Sequence, residues 1–95
     1  MAADIQVSRV REGEFLVTVV EGSSRTKHTV TVNAAEYARL AGGKIGAEEL
    51  ITKSFEFLLE REPKESILPR FNLMEIARYF PSFESEMAQR LGEKR

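Results

Sequence analysis

The spacing of apolar residues changes once along this chain, and that change constrains the fold more than any motif does. Up to Val32 the apolar positions recur every second residue. Ile5 and Val7 alternate with polar neighbours. Phe15, Val17 and Val19 alternate with Leu16, Thr18 and Val20, and His28, Val30 and Val32 alternate with Lys27, Thr29 and Thr31. A period of two belongs to strands, whose successive side chains point to opposite faces. REGE (11–14) and EGSSR (21–25) interrupt the runs with turn chemistry. The spacing predicts an antiparallel meander of two or three strands with one face wet.

After Asn33 the period lengthens. Asn33 with Glu36 has the form of a capping box, Val32 and Tyr37 occupy the positions of a hydrophobic staple, and Gly42-Gly43 ends the short helix AAEYARLA. Ala47, Leu50, Ile51, Phe55, Leu58 and Leu59 lie on one face of a helix predicted over 47–62 and stopped by Pro63. Asn72 with Glu75, and Phe71 with Ile76, repeat the box and the staple, which predicts a helix from Leu73. Pro81 bends the chain, and Phe83, Met87 and Leu91 align on a last helix ended by Gly92. The fold class expected is α+β: the meander packed against about four C-terminal helices. The 95 residues are too few for two cores. One domain is expected, with strands in 1–33, two helices in 34–62 and a Pro-bent helical tail in 63–95.

Composition removes several kinds of chemistry. The chain has no cysteine and one histidine, so disulfides and thiolate metal sites are excluded. His28 is in phase with Val30 and Val32; no second histidine or cysteine can join it on a metal, and a half-buried strand residue beside a turn is its commoner role. Ser23-Ser24 read as turn residues. Neighbouring acids such as Glu48-Glu49 point apart on a helix. AGGKIG lacks the spacing and the Ser/Thr of a phosphate loop. No catalytic residue, metal ligand, cofactor or small-molecule ligand is inferred, and the expectation is a protein that is not an enzyme. The net charge of -1 provides no long-range attraction to nucleic acid or anionic membrane. Lys94-Arg95 reads as ordinary surface charge. No segment has the apolar length of a signal peptide or a membrane span, so a soluble, cytoplasmic protein is expected.

Two resemblances add to this. SFEFLLERE with SILPRFNLMEIARYFPSFE resembles the corresponding stretch of a group of short, uncharacterised bacterial proteins. The likeness is clearest over 54–84 and implies a bacterial source and a shared fold, with no activity attached. The order of a strand KHTVTV, a short helix, GGKIG and a longer helix, over 27–62, resembles a ribbon-helix-helix regulator. That resemblance implies a dimeric DNA-binding protein, of the antitoxin kind, in which Lys27, Thr29 and Thr31 contact DNA. The apolar run at 15–20 is equally placed to pair with the same strand, so pairing within the chain and across a dimer both stay open.

The first expectation for function is a protein-interaction or regulatory module that self-associates or binds another protein, and DNA binding is the alternative. Leu16 and Val20 lie on the strand face opposite Phe15, Val17 and Val19. Phe57 is off the apolar face of its helix, and Tyr79 is out of phase with Leu73, Ile76 and Phe80. These four are the expected interface residues.

Overall fold

The alternating segments form three strands of eight residues, β1 (Asp4–Arg11), β2 (Glu14–Glu21) and β3 (Ser24–Thr31), in a computed structural model that describes residues 3–43 and 45–92. Lys44 of the AGGKIG stretch and the Lys94-Arg95 pair lie outside the described residues. Val17 pairs with Val7 on one side and His28 on the other, so the three strands are an antiparallel meander, with one register shift in β1 between Arg9 and Arg11. Gly22 opens the two-residue turn between β2 and β3 at a φ of 61°, where a side chain would be strained. One face carries Phe15, Val17, Val19, His28 and Val30, all buried, with Ile5 and Val7 half-buried beside them. The other face carries Gln6, Ser8, Thr18, Lys27 and Thr29, and none of the described helices covers it.

A fourth strand corrects the expectation of a purely antiparallel sheet followed only by helices. β4 (Arg70–Asn72) runs parallel to β3, with Thr29 opposite Arg70, Val30 opposite Phe71 and Thr31 opposite Asn72. The sheet is therefore mixed, in the order β1-β2-β3-β4. Asn72 does not cap a helix at Leu73. Its amide nitrogen donates to the backbone and side-chain oxygens of Thr31 and to Glu36 Oε1, and its Oδ1 accepts from the Met74 amide. The next helix, α3 (Glu75–Tyr79), starts later and is shorter than the sequence pattern predicts. Three residues without alternation are too few to announce a strand; the open edge of β3 imposes the extended shape.

The remaining helices follow the sequence more closely. α1 (Ala34–Ala41) has the expected capping box, with the Asn33 side chain accepting from the Glu36 amide and the Glu36 carboxylate accepting from the Asn33 amide. The same Glu36 oxygen receives the amide of Asn72, which ties the start of α1 to β4. α2 (Ala47–Leu59) ends before residue 62 because Pro63 disfavours helical geometry in the residue preceding it. α4 (Phe83–Gly92) follows the Pro81 bend. Leu50, Ile51, Phe55, Phe57 and Leu58 of α2 are buried, and they join residues of every strand except β1, and of α1, α3 and α4, in one core. Burial of each contributes roughly 1.5–3 kcal/mol.

A short 3-10 turn (Lys64–Ser66) carries the chain from α2 towards β4. Lys64 is 3% exposed, yet its ammonium reaches two carboxylates, Glu65 at 2.7 Å and Glu21 at 3.2 Å. The hydrogen bond to Glu65 raises the Lys64 pKa above its usual 10.5, with burial opposing and Glu21 adding to the rise. The same bond lowers Glu65 below its usual 4.5. A lowered carboxylate contributes stability that is complete above its usual value and lost as the pH falls through the folded value. A raised lysine contributes stability that is complete below its usual value and lost as the pH rises through the folded value. The stability difference between the wild type and Lys64→Met is therefore expected to be flat from just above 4.5 to just below 10.5 and to shift at both ends. Urea titrations at a series of pH values check this, and a difference that is constant through the acid limb removes Glu65 from the pairing.

Candidate functional site

Proline 63 ends α2, the 3-10 turn reverses the chain, and Pro69 keeps Leu68 extended as the chain enters β4. The backbone then crosses beside β3 and folds over as α3. This path leaves a groove of about 350 Å³ between the end of α2, the segment before β4, and α3. Leu58, Ile67, Phe71, Ile76 and Phe80 line it. Leu68 and Tyr79 stand at its mouth, 45% and 66% exposed. Glu62 and Glu75 are at the rim, and Glu75 also receives a long contact from Arg78 at 3.4 Å.

Specific contacts tie the groove walls to the sheet. The His28 ring stacks against Phe55, 5.4 Å between centroids, and Phe55 lies 6.0 Å from Phe71. The Leu68 carbonyl can only accept, so His28 Nδ1–H donates to it at 2.8 Å, and Nε2 then accepts from the Thr26 hydroxyl at 2.8 Å. The Thr29 amide donates to the Pro69 carbonyl at 2.7 Å. Two strand residues thus hold the segment that carries Leu68. Both ring nitrogens of His28 are used in these contacts, and the ring is 2% exposed. Among the described residues no three His, Asp or Glu converge in a way that could hold a metal ion.

The four residues expected at an interface separate. Tyr79 is exposed at the groove, as its phase implies. Leu16 and Val20 are half-buried on the uncovered sheet face, on the other side of the sheet from the helices. Each is flanked by polar residues there: Ser8 and Thr29 beside Leu16, Asp4 and Arg25 beside Val20. Phe57 corrects the expectation of an exposed aromatic, because it is 0% exposed. Phe80 and Phe83 enclose it, 6.0 Å and 5.2 Å between centroids, and Arg61 lies over its ring. The sequence pattern put Phe57 outside because it treated α2 as a helix with one partner. α4 covers a second face.

The residues proposed for the ribbon-helix-helix arrangement are on the uncovered face, Lys27 exposed and Thr29 and Thr31 half-buried. β3 pairs with β2 along one edge over its whole length and with β4 along the other at Thr29, Val30 and Thr31, so the second half of KHTVTV is engaged on both sides within the chain. Leu68 and Glu62 are not among the residues that the sequence pattern places at an interface. An isolated leucine before a proline, outside every helical stripe, is the signal that marks Leu68.

A second hollow, of about 570 Å³, lies between the β1–β2 turn and the starts of α1 and α2. Arg9, Glu12 and Glu48 line it, and Tyr37 donates its hydroxyl hydrogen bond to the Ile45 carbonyl at its side. Among the described residues no exposed large apolar side chain borders it. Among the described residues no helix is long and apolar enough to cross a membrane. No family model matches the chain, and neither a curated protein nor a solved structure is similar to it at a significant level.

Proposed function

We propose that this protein is a non-enzymatic interaction module that takes an apolar segment of a partner protein into the groove between α2, β4 and α3. One observation carries the reading: of the three exposed large apolar residues among the described residues, two, Leu68 and Tyr79, border one apolar groove. Exposed apolar residues scattered singly need no explanation, but a pair rimming a concave apolar wall marks a binding surface. Tyrosine is favoured at such places because its ring buries area while its hydroxyl stays wet. The acids at the rim favour a segment with a basic residue beside its apolar anchors.

Selection from a displayed random peptide library tests the proposal. Enriched peptides are expected to carry large apolar or aromatic residues, and their affinity is expected to fall about thirtyfold, roughly 2 kcal/mol, for Tyr79→Ser with Leu68→Ser. Both side chains are exposed, so circular dichroism of the variant should match the wild type. Peptides that bind the double variant as tightly as the wild type exclude the groove.

A further inference from the structure

The two edges of the sheet are built differently. At β4 the edge is three residues long, is entered through Pro69, and carries the exposed Arg70. Short length, proline and charge are the devices by which proteins keep an edge from pairing with another chain. β1 has eight residues, and its only described partner strand is β2. From Asp4 to Arg9 it holds no proline, glycine or lysine; its charges, Asp4 at one end and Arg9 and Arg11 at the other, flank an uncharged stretch, 5–8, and the register shifts only at Val10, near its end. Ile5 and Val7 lie on its inner face and are half-buried at the margin of the core.

We propose that the free edge of β1 pairs antiparallel with β1 of a second copy, which continues the sheet across a two-fold axis. An axis perpendicular to the sheet keeps the inner faces of both copies on one side, so paired residues must share a face. Ile5, Val7 and Arg9 are on the inner face, opposite Val19, Val17 and Phe15; Asp4, Gln6 and Ser8 are on the outer face. The shift at Val10 returns Arg11 to the outer face, opposite Glu14. Three registers around the centre of the strand satisfy the rule. With Gln6 on the axis, Asp4 meets Ser8. With Ser8 on the axis, Val7 meets Arg9 and, past the shift at Val10, Gln6 comes opposite Arg11. With Val7 on the axis, Val7 meets Val7, Gln6 meets Ser8, Ile5 meets Arg9, and Asp4 comes opposite Arg11. This last register puts the acidic end of each strand against the basic end of the other, twice per dimer, and it is the one we assign. Arg11 pairs within its own chain with Glu14, which also has Arg70 nearby at 3.7 Å, so an additional acid completes a balanced group. β1 and β4 are opposite edges of the sheet, so pairing at β1 leaves the groove free.

Sedimentation equilibrium from about 5 to about 500 µM is expected to show reversible dimerisation. Asp4→Lys places a lysine opposite Arg11 at both ends of the seam and is expected to weaken the dimer about tenfold. Adding Arg11→Glu to Asp4→Lys restores opposite charges and should recover most of that loss. Tyr79→Ser, in the groove, should leave the dimer unchanged. A monomer at all concentrations, a dimer indifferent to Asp4→Lys, or one lost with Tyr79→Ser overturns the proposal.

Discussion

Replacing Phe57 by alanine is expected to destabilise the protein by about 3–5 kcal/mol. The ring is wholly buried and sits where three helices meet. Phe80, after α3, packs edge-on against it at 82°, and Phe83, at the start of α4, packs at 60°. The Arg61 guanidinium lies 3.7 Å from its centroid and the Arg90 guanidinium 5.8 Å. Those two arginines are fixed by a carboxylate of α4 and by Glu60, just past the end of α2. Arg61 donates to Glu86 at 2.9 Å and Arg90 donates to Glu60 at 2.7 Å. The bond from Arg90, with Arg61 adding to it, holds the Glu60 carboxyl below its usual range. These ion pairs are partly solvated and orient α4 more than they stabilise it. The aromatic cluster beneath them supplies the energy. Against a typical total of about 5–15 kcal/mol, loss of Phe57 leaves little. Urea unfolding of the variant measures the effect, and amide exchange should show α4 opening first. A loss under about 1 kcal/mol would mean that α4 is not held through this ring.

His28→Ala is expected to cost about 2–3 kcal/mol and to loosen the wall of the groove. The substitution removes the stack on Phe55 and strands two polar partners, the Leu68 carbonyl and the Thr26 hydroxyl. Thr26→Val removes only the contact at Nε2 and is expected to cost about 1 kcal/mol. The difference between the two variants isolates the bond and stack that hold the segment before β4. Faster amide exchange at Thr29 in His28→Ala, with little change in Thr26→Val, is the accompanying signature, because the Thr29 amide donates to the adjacent Pro69 carbonyl. Equal costs for the two variants would remove His28 from any role in placing Leu68.

Local chemistry was legible where one element answers to one pattern. The two-residue periods of 15–32 became β2 and β3, because Phe15, Val17 and Val19, and His28, Val30 and Val32, recur at every second position and the turn between them has the right residues. Asn33 and Glu36 became a capping box because both partners lie within one turn of the same helix. The same residue types at Asn72 and Glu75 did not. There the neighbouring strand offered Asn72 two Thr31 oxygens and a carboxylate from α1, and long-range partners outweighed the local cap. Tyr79 was placed correctly by phase. Phe57 was not, because helical phase describes one buried face and cannot count how many neighbours a helix will have.

The order of the amino acids alone therefore determined the strand-then-helix division, the start of α1, the stops at Pro63 and Pro81, and the aromatic on the outside of α3. Each depends on residues a few positions apart, where backbone geometry and capping act directly. Only the folded chain decided that Arg70–Asn72 is a strand, that α4 covers Phe57, and that Leu68 and Tyr79 share one groove. Those outcomes depend on surfaces brought together from distant parts of the chain. An unpaired strand edge or an uncovered ring is satisfied by whatever segment can reach it, and reach is a property of the tertiary structure.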